Sequence, residues 1–414
     1  MLSELKKIKK AFSSDILGYA DYPANAFIEV NYDCVLRCKM CQLWTADFKK
    51  YRIGDGKILS QDEIKKIIDE IASAGMKEIA FLGGEPFLRK DLCDLIAYCK
   101  VRKLSTFTVS NGYIIGEDLA DRIVHSGLDL LAISIDGPNS EIHDRIRGVN
   151  GAFDRAVGAI KLIRKRQKEL HTDRPLIGIA CTVSSNNFLN LPDMIDLAKS
   201  LDVGTVRFQY ISVIDKSTVE QTDKMMGEKV VGVHNFVGIP PHYLVPKEQL
   251  DTLEDVIAEI KRRAGAQMVC GIEPVFFNKD KSFIEKGIFP VCDCNVPWSQ
   301  AFVTPTGDLI PCPMFPDYKL GNIRERSIEQ IWNGRRARDI RKRLSKGLPP
   351  ICQKCCFVHS GTESRWKKTY RRLSGGLFKK HRRLYSAPIL FMIHATTSRG
   401  RFRTSRNDDK YVSA

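Results

Sequence analysis

The chain has 414 residues, a net charge of +16 and 28% charged residues. This length suits one large domain with a smaller one, and the composition is that of a soluble globular protein, which excludes a disordered chain. No apolar run reaches the roughly 20 residues that span a bilayer, and the start, MLSELKKIKK, lacks the apolar segment of a secretory signal, so we expect a cytoplasmic protein.

Residues 1–25 are predicted to be an N-terminal extension, and residues 26–212 alternate short apolar runs with amphipathic stretches. The predicted strands are residues 27–31, 78–82, 105–109, 130–135, 176–183 and 206–210. The predicted helices between them are residues 61–74, 91–102, 117–125, 152–167 and 191–201. Six βα repeats imply parallel strands with right-handed crossovers. Six strands are too few for a closed barrel, which leaves a partial, open (β/α)6 TIM-like barrel or a doubly wound sheet.

The rhythm breaks over residues 213–290, where we predict a linker or substrate-covering segment with one helix at 247–263. Residues 291–360 hold a second group of cysteines and are predicted to form a small β-hairpin/helix iron–sulfur domain. Residues 361–414 form a basic tail with 14 Lys and Arg against 3 Asp and Glu. A solvated terminus is the favoured interpretation of the tail, and its apolar residues 389–393 suit only a weak contact with a membrane surface.

Three cysteines follow the first predicted strand directly, at Cys34, Cys38 and Cys41. Zinc usually takes four ligands in pairs, and no fourth Cys or His lies nearby in the sequence. Three thiolates on one short loop suit three irons of a [4Fe–4S] cube, whose fourth iron stays open to a ligand. A zinc or purely structural site is the alternative.

The spacing CxxxCxxC is similar to the signature of the radical S-adenosylmethionine (SAM) superfamily. In that family, SAM binds the open iron and is cleaved to a 5′-deoxyadenosyl radical that takes hydrogen from a substrate. The resemblance makes Met40 an apolar contact for the adenine. After the second strand, Gly83, Gly84, Glu85 and Pro86 resemble the family's GGEP segment, in which Glu can pair with the SAM ammonium.

Two more loops at strand ends resemble the family. Asn111 lies in a Ser-Asn-Gly turn after the third strand, and Ser134 ends the fourth. By this resemblance, Ser134 and Arg147 are expected to contact the ribose and the carboxylate of SAM. Ordinary βα turns are the alternative, but matching loops at successive strand ends favour a SAM site.

The second cysteine group spans Cys294, Cys312, Cys352 and Cys355, with a predicted hairpin turn at residues 306–308. It resembles a truncated SPASM/twitch domain of radical SAM enzymes, which implies one auxiliary [4Fe–4S] cluster with these four ligands. Cys292 and Cys356 are spare candidates, and a four-cysteine zinc ribbon is the alternative. Four ligands leave no open iron, so this cluster is expected to carry electrons.

The sequence says less about the substrate. A peptide that is crosslinked, epimerised or oxidised is one hypothesis, and oxidation or epimerisation of a small polar molecule is another. RNA modification and a non-catalytic electron-transfer protein are the alternatives, and nucleic acid is the less favoured partner. A flavodoxin or ferredoxin is expected to supply the electron.

Overall fold

The computed structural model describes residues 16–44, 48, 53, 57–231, 237–266, 268–273, 284–289, 291 and 293–355. The strands are β1 (Asn25–Glu29), β2 (Glu78–Leu82), β3 (Ser105–Ser110), β4 (Leu130–Ser134), β5 (Leu176–Val183), β6 (Thr205–Tyr210), β7 (Val269–Glu273), β8 (Gln300–Val303), β9 (Asp308–Ile310) and β10 (Gly321–Asn322). They form one sheet in the order β10-β9-β8-β1-β2-β3-β4-β5-β6-β7.

The helices lie mostly between the strands. They are α1 (Gln61–Ser73), α2 (Leu92–Val101), α3 (Glu117–His125), α4 (Ser140–Arg147), α5 (Ala152–Glu169), α6 (Leu191–Ser200), α7 (Lys216–Met226), α8 (Leu250–Ala264), α9 (Val296–Ser299), α10 (Ile328–Trp332) and α11 (Arg335–Lys346). Short 3-10 helices occur at Pro86–Leu88, Phe188–Asn190, Pro241–Tyr243, Lys247–Gln249 and Pro350–Lys354.

The prediction of a mixed α/β fold with a parallel sheet is confirmed. Strands β1 to β6 pair in parallel in chain order, and each lies within two residues of its predicted limits. The sheet continues in parallel at both ends, because β7 pairs with β6 and β8 pairs with β1. The described sheet therefore contains eight consecutive parallel strands, two more than the sequence pattern indicated.

The segment 213–290, predicted as a linker, contains α7, α8 and β7 in its described part. Strand β7 was not predicted from the sequence, because Val-Cys-Gly-Ile-Glu is short, contains a central glycine and shows no apolar alternation. All five of its residues are half-buried. The chain thus returns to the sheet before it enters the second cysteine group.

Helix α1 illustrates how local signals place an element. The Ser60 side chain accepts a hydrogen bond from the Glu63 amide, and the Glu63 side chain accepts one from the Ser60 amide. This capping box fixes the first turn. The helix then buries a stripe of isoleucines at 64, 67, 68 and 71 against the sheet.

The strand face toward the helices is apolar. Ile28, Ile79, Ile133 and Ile179 have no exposed surface. Each fully buried side chain of this kind contributes about 1.5–3 kcal/mol through removal of apolar area from water. This core fixes the strands, and their carboxyl ends carry the loops of the site.

The predicted hairpin turn at residues 306–308 is confirmed. Strands β8 and β9 pair antiparallel, and Gly307 has a φ of +85° at the turn between them. The Thr304 amide donates to the Asp308 carbonyl at 2.9 Å. This hairpin is joined to the parallel sheet through β8.

Within the described part of the chain, no helix combines the length and apolar character that a membrane crossing requires. The N-terminal residues 1–15 and the basic tail lie outside the described residues. The predictions made for the tail therefore stay predictions.

Candidate radical SAM active site

The cysteine loop (residues 34–41) leaves the carboxyl end of β1 and runs against the end of helix α4. The Arg37 amide donates to the Arg147 carbonyl at 3.1 Å, and the Lys39 amide donates to the Ile146 carbonyl at 3.1 Å. The Cys41 amide closes a turn on the Cys38 carbonyl at 3.2 Å. These backbone bonds fix the short loop that carries Cys34, Cys38 and Cys41 against the end of α4.

Three glycines let other backbone segments approach the cysteine loop and the residues before it. A Cβ on Gly84 would lie 2.2 Å from the Asp33 carbonyl oxygen, and one on Gly83 would lie 2.3 Å from that of Asn31. Gly148 caps α4 with a φ of +72°, and its Cβ would lie 2.4 Å from the Arg37 oxygen. No side chain fits at these distances, so glycine is required on both flanks of the loop.

Glu85 joins the loop after β2 to the loop after β3. Its carboxylate accepts hydrogen bonds from the Asn111 amide at 2.8 Å, the Ser110 hydroxyl at 2.9 Å and the Phe87 amide at 3.2 Å. The side chain has no exposed surface, and burial raises its pKa to about 7 despite these donors. All three donors belong to the protein, and the predicted pairing of Glu85 with the SAM ammonium stays a prediction.

Two polar side chains point donors at the cysteine sulfurs. The Asn111 side-chain nitrogen lies 3.6 Å from the Cys34 sulfur, and Arg147 Nη1 lies 3.8 Å from the Cys38 sulfur. Burial raises the pKa of Cys34 to about 11 and that of Cys41 to about 12. Burial therefore disfavours bare thiolates, which a bound cation and these donors would stabilise.

Asp136 is not among the site residues predicted from the sequence. Asp136 is fully buried, and its Oδ2 lies 2.6 Å from Arg147 Nε. The two residues are eleven positions apart and meet only because α4 packs beneath the loop after β4. An acidic residue two positions beyond a strand, followed by an arginine on the next helix, was the available signal.

The other predicted contacts lie around the same edge. Met40 is 7% exposed and belongs to the apolar core, and Pro86 is buried at the start of its 3-10 helix. Ser134 is half-buried at the end of β4. The structure thus gathers the predicted residues of the first site at the carboxyl ends of β1 to β4.

The sheet face opposite the helices is half-buried and polar toward its carboxyl edge. Thr182 pairs with Gln209, and Gln209 pairs with Glu273, across β5, β6 and β7. Arg207 forms an ion pair with Glu273. Across the sheet on β1, Glu29 accepts a hydrogen bond from the Tyr32 hydroxyl at 2.5 Å, and burial raises its pKa to about 7.

The second cysteine site is assembled from three separate segments. Cys294 precedes α9, Cys312 follows β9, and Cys352 lies in the 3-10 helix Pro350–Lys354. The pKa of Cys352 is raised well above its usual value by burial and then by the neighbouring Cys294 and Cys312. The Cys355 amide donates to the Cys352 carbonyl at 3.4 Å, at the end of that helix.

Cys292 and Cys356 lie outside the described residues, so their alternative roles stay predictions. In the part of the chain that the structure describes, no three His, Cys, Asp or Glu side chains form a group arranged to hold a metal ion.

Two family models match the chain. Residues 28–180 match the radical SAM superfamily, and residues 292–356 match SPASM, an iron–sulfur cluster-binding domain. The chain carries a radical SAM domain followed by an iron–sulfur cluster-binding domain. The first match spans β1 to β5 with the cysteine loop, and the second begins at Cys292 and ends at Cys356. The radical SAM domain and the enzymes that the chain resembles indicate that the protein is an enzyme.

Curated relatives are similar over most of their length. An AdoMet-dependent heme synthase of Methanosarcina barkeri is 28% identical, with 78% of this chain and 87% of the synthase covered. A PqqA peptide cyclase of Granulibacter bethesdensis is 23% identical, with 80% and 79% covered.

Solved structures share the fold. Streptococcus suis SuiB superposes with a TM-score of 0.59 at 15% identity, with 86% of this chain and 77% of SuiB covered. Native anSMEcpe with bound AdoMet gives a TM-score of 0.55 at 17% identity, with 85% of this chain and 96% of anSMEcpe covered. SuiB has also been solved bound to its precursor peptide SuiA.

The residues at the first site fit the cofactors that the family implies. Three thiols lie on one loop, that of Cys38 buried and those of Cys34 and Cys41 half-buried. An amide faces the Cys34 sulfur and a guanidinium faces the Cys38 sulfur. Donors of this kind stabilise a thiolate-bound iron–sulfur cluster and tune its potential. The guanidinium is also suited to the carboxylate of SAM.

Proposed function

We propose that the protein binds a [4Fe–4S] cluster through Cys34, Cys38 and Cys41 and uses it to cleave SAM reductively. The bound cluster and SAM supply a 5′-deoxyadenosyl radical, which removes a hydrogen atom from the substrate. The observation that carries the proposal is the donor set at the cysteine loop, where Asn111 and Arg147 approach two of the three sulfurs.

The protein's own groups hold SAM in place in this proposal. Arg147 binds the carboxylate, Ser134 the ribose, and Met40 contacts the adenine. Gly83 and Gly84 expose their backbone to the ammonium. Glu85, engaged by three internal donors, keeps the loops after β2 and β3 at a fixed distance.

A second [4Fe–4S] cluster is proposed on Cys294, Cys312, Cys352 and Cys355. The effect of Cys294 and Cys312 on the pKa of Cys352 supports the closeness of these three cysteines. A cluster with four protein ligands exchanges electrons only, so it would accept the electron left on an oxidised substrate. Its electrons would pass to or from a flavodoxin or ferredoxin in a reducing cytoplasm.

The domain limits follow from the same assignment. We propose a radical SAM core at residues 26–212 and an auxiliary-cluster domain at residues 291–360. Residues 213–290 lie between them and are proposed to cover the substrate.

A peptide is the proposed substrate. PqqA peptide cyclase and SuiB, whose precursor peptide is known, both resemble this chain. The half-buried polar face beside the cysteine loop, with Glu29, Gln209 and Arg207, offers donors and acceptors that suit peptide amides.

A small carboxylated molecule is the second candidate. The heme synthase of Methanosarcina barkeri has the higher identity of the two relatives described above. The guanidinium of Arg207, on the polar face, suits a substrate carboxylate. Anaerobic turnover with a synthetic peptide and with a carboxylate-bearing iron porphyrin would separate the two, because only the substrate should increase 5′-deoxyadenosine formation.

The central test is SAM cleavage by the full-length protein, reconstituted anaerobically and reduced with dithionite. We expect 5′-deoxyadenosine and about eight irons per chain. A variant with alanine at Cys34, Cys38 and Cys41 is the control and should yield none. Iron-loaded protein that forms no 5′-deoxyadenosine would contradict the proposed function, and about four irons with one zinc would indicate a zinc ribbon at the second site.

A further inference from the structure

Asp136 is a fully buried carboxylate at the junction of three elements beside the cysteine loop. Its Oδ1 accepts a hydrogen bond from the Thr182 amide on β5 at 2.8 Å. Its backbone amide donates to His143 Nδ1 on α4 at 3.0 Å, and its carbonyl accepts from the Asn187 side chain at 2.8 Å. Asp136 is therefore fixed at its side-chain Oδ1, at its backbone amide and at its backbone carbonyl, and its carboxylate has little freedom to move.

This fixed carboxylate forms an ion pair with one side of the Arg147 guanidinium. The distance from Asp136 Oδ2 to Arg147 Nε is 2.6 Å, and Arg147 Nη1 lies 3.8 Å from the Cys38 sulfur. Among the described residues, no hydrogen bond or ion pair engages Nη2. Arg147 as a whole residue is 9% exposed. The orientation of its guanidinium is therefore set by Asp136 and not by solvent.

The neighbouring histidine adds no charge to this arrangement. His143 has no exposed surface, and its Nδ1 is occupied as an acceptor from Asp136. Burial and the charge of Arg147 lower its pKa to about 3. The negative charge beside Arg147 on this side therefore comes from Asp136.

We propose that Asp136 is a positioning residue that aims the free nitrogen of Arg147 at the carboxylate of SAM. The inference rests on the proposed function and deepens it, because it assigns SAM affinity to a pair of residues of which only one touches SAM. Asp136 acts through Arg147 and has no contact of its own with the cofactor.

A double-mutant cycle on the reconstituted full-length protein tests this inference. The dissociation constant of SAM is measured by anaerobic calorimetry for wild type, Asp136→Asn, Arg147→Ala and the double variant. We expect Asp136→Asn to weaken SAM binding about 10- to 100-fold, as is typical when a supporting partner is removed. In the Arg147→Ala background the same change should have no further effect.

A spectroscopic readout separates positioning from general stability. The EPR spectrum of the reduced cluster should change on SAM addition in Asp136→Asn as in wild type, but only at proportionally higher SAM concentration. Iron content and the spectrum without SAM should equal those of wild type. Asp121→Asn is the matched control, because Asp121 pairs with Arg166 at the same 2.6 Å on the outer helices and should leave SAM binding unchanged.

Several outcomes would overturn the inference. Unchanged SAM affinity in Asp136→Asn does so, and so do additive effects of the two substitutions. Should Asp136→Asn fail to fold, Asp136→Glu retains the carboxylate, and loaded protein with SAM affinity near that of wild type would support the inference. A large loss of affinity in that variant would oppose it. Failure of the wild-type protein to bind SAM would contradict the proposed function instead.

Discussion

The two cysteine sites are built in opposite ways. Cys34, Cys38 and Cys41 lie on one loop of eight residues, and polar donors from the loop after β3 and from the end of α4 approach two of their sulfurs. Cys294, Cys312 and Cys352 come from three segments, and the pKa of Cys352 is raised by burial and then by the other two cysteines. A preformed loop with charged neighbours suits a site that must bind and release a ligand, whereas a site that ties distant segments together suits a closed cluster.

Loss of one ligand at the first site should have the largest effect. Cys38→Ala removes a ligand and the sulfur that faces Arg147, so we expect SAM cleavage to fall by at least about 1,000-fold, or about 4 kcal/mol in barrier. Iron should fall from about eight to about four per chain. Cys93→Ala, a buried cysteine of α2, is the control and should keep both. If Cys38→Ala retained SAM cleavage, the proposed difference between a SAM-binding first site and a closed second cluster would be wrong.

Loss of a ligand at the second site should separate SAM cleavage from formation of the oxidised product. Cys352→Ala is expected to lower iron to about four per chain while SAM cleavage without substrate persists. Oxidised product should disappear, because the electron acceptor is lost. Iron analysis and product assay on the same preparation check this, with Cys99→Ala as the buried-cysteine control. Complete loss of SAM cleavage would mean that the second site is needed to build the first.

The glycine contacts of the first loop give a third and smaller effect. Gly84→Ala places a methyl group 2.2 Å from a carbonyl oxygen of the cysteine-loop segment, so we expect a loss of about 1–3 kcal/mol in unfolding free energy and weaker SAM binding. Gly158→Ala, in α5 with no atom within 4 Å of the new Cβ, should instead stabilise by about 0.5–1 kcal/mol. Thermal and denaturant unfolding compare the two, and equal effects would refute the close approach.

The smallest effect concerns an ion pair between the two regions. Glu63 on α1 lies 2.5 Å from Arg324, which follows β10, and the hydrogen bond from Arg324 lowers the pKa of Glu63 to about 2. A lowered pKa stabilises the fold above the unfolded value near 4.5, and this contribution is lost as the pH falls toward 2. Because both side chains are about one-third exposed, Glu63→Gln should cost only about 0.5–1 kcal/mol at pH 7.

Denaturant unfolding at pH 7 and at pH 2.5 measures this difference directly. Glutamine retains the capping box with Ser60, so the substitution isolates the ion pair. A difference between variant and wild type that stays constant down to pH 2.5 would show that the pair contributes nothing.

The sequence predicted what local pattern controls. The hairpin turn at residues 306–308 and the spacing of Cys34, Cys38 and Cys41 are encoded within a few residues, and the turn is confirmed. The strand β7 and the Asp136–Arg147 pair were missed. Both depend on packing between distant elements, which periodicity along the chain does not report.

The parallel pairing of β8 with β1 bears on how the chain is made. Strand β8 is translated about 270 residues after β1. At 5–20 residues per second, β8 is therefore synthesised roughly ten to sixty seconds after β1. An unpaired strand edge is a template for association with another chain. During that interval the edge of β1, the strand that leads into the first cysteines, can pair with a strand of another chain. Synthesis of Gln300–Val303 ends this exposure.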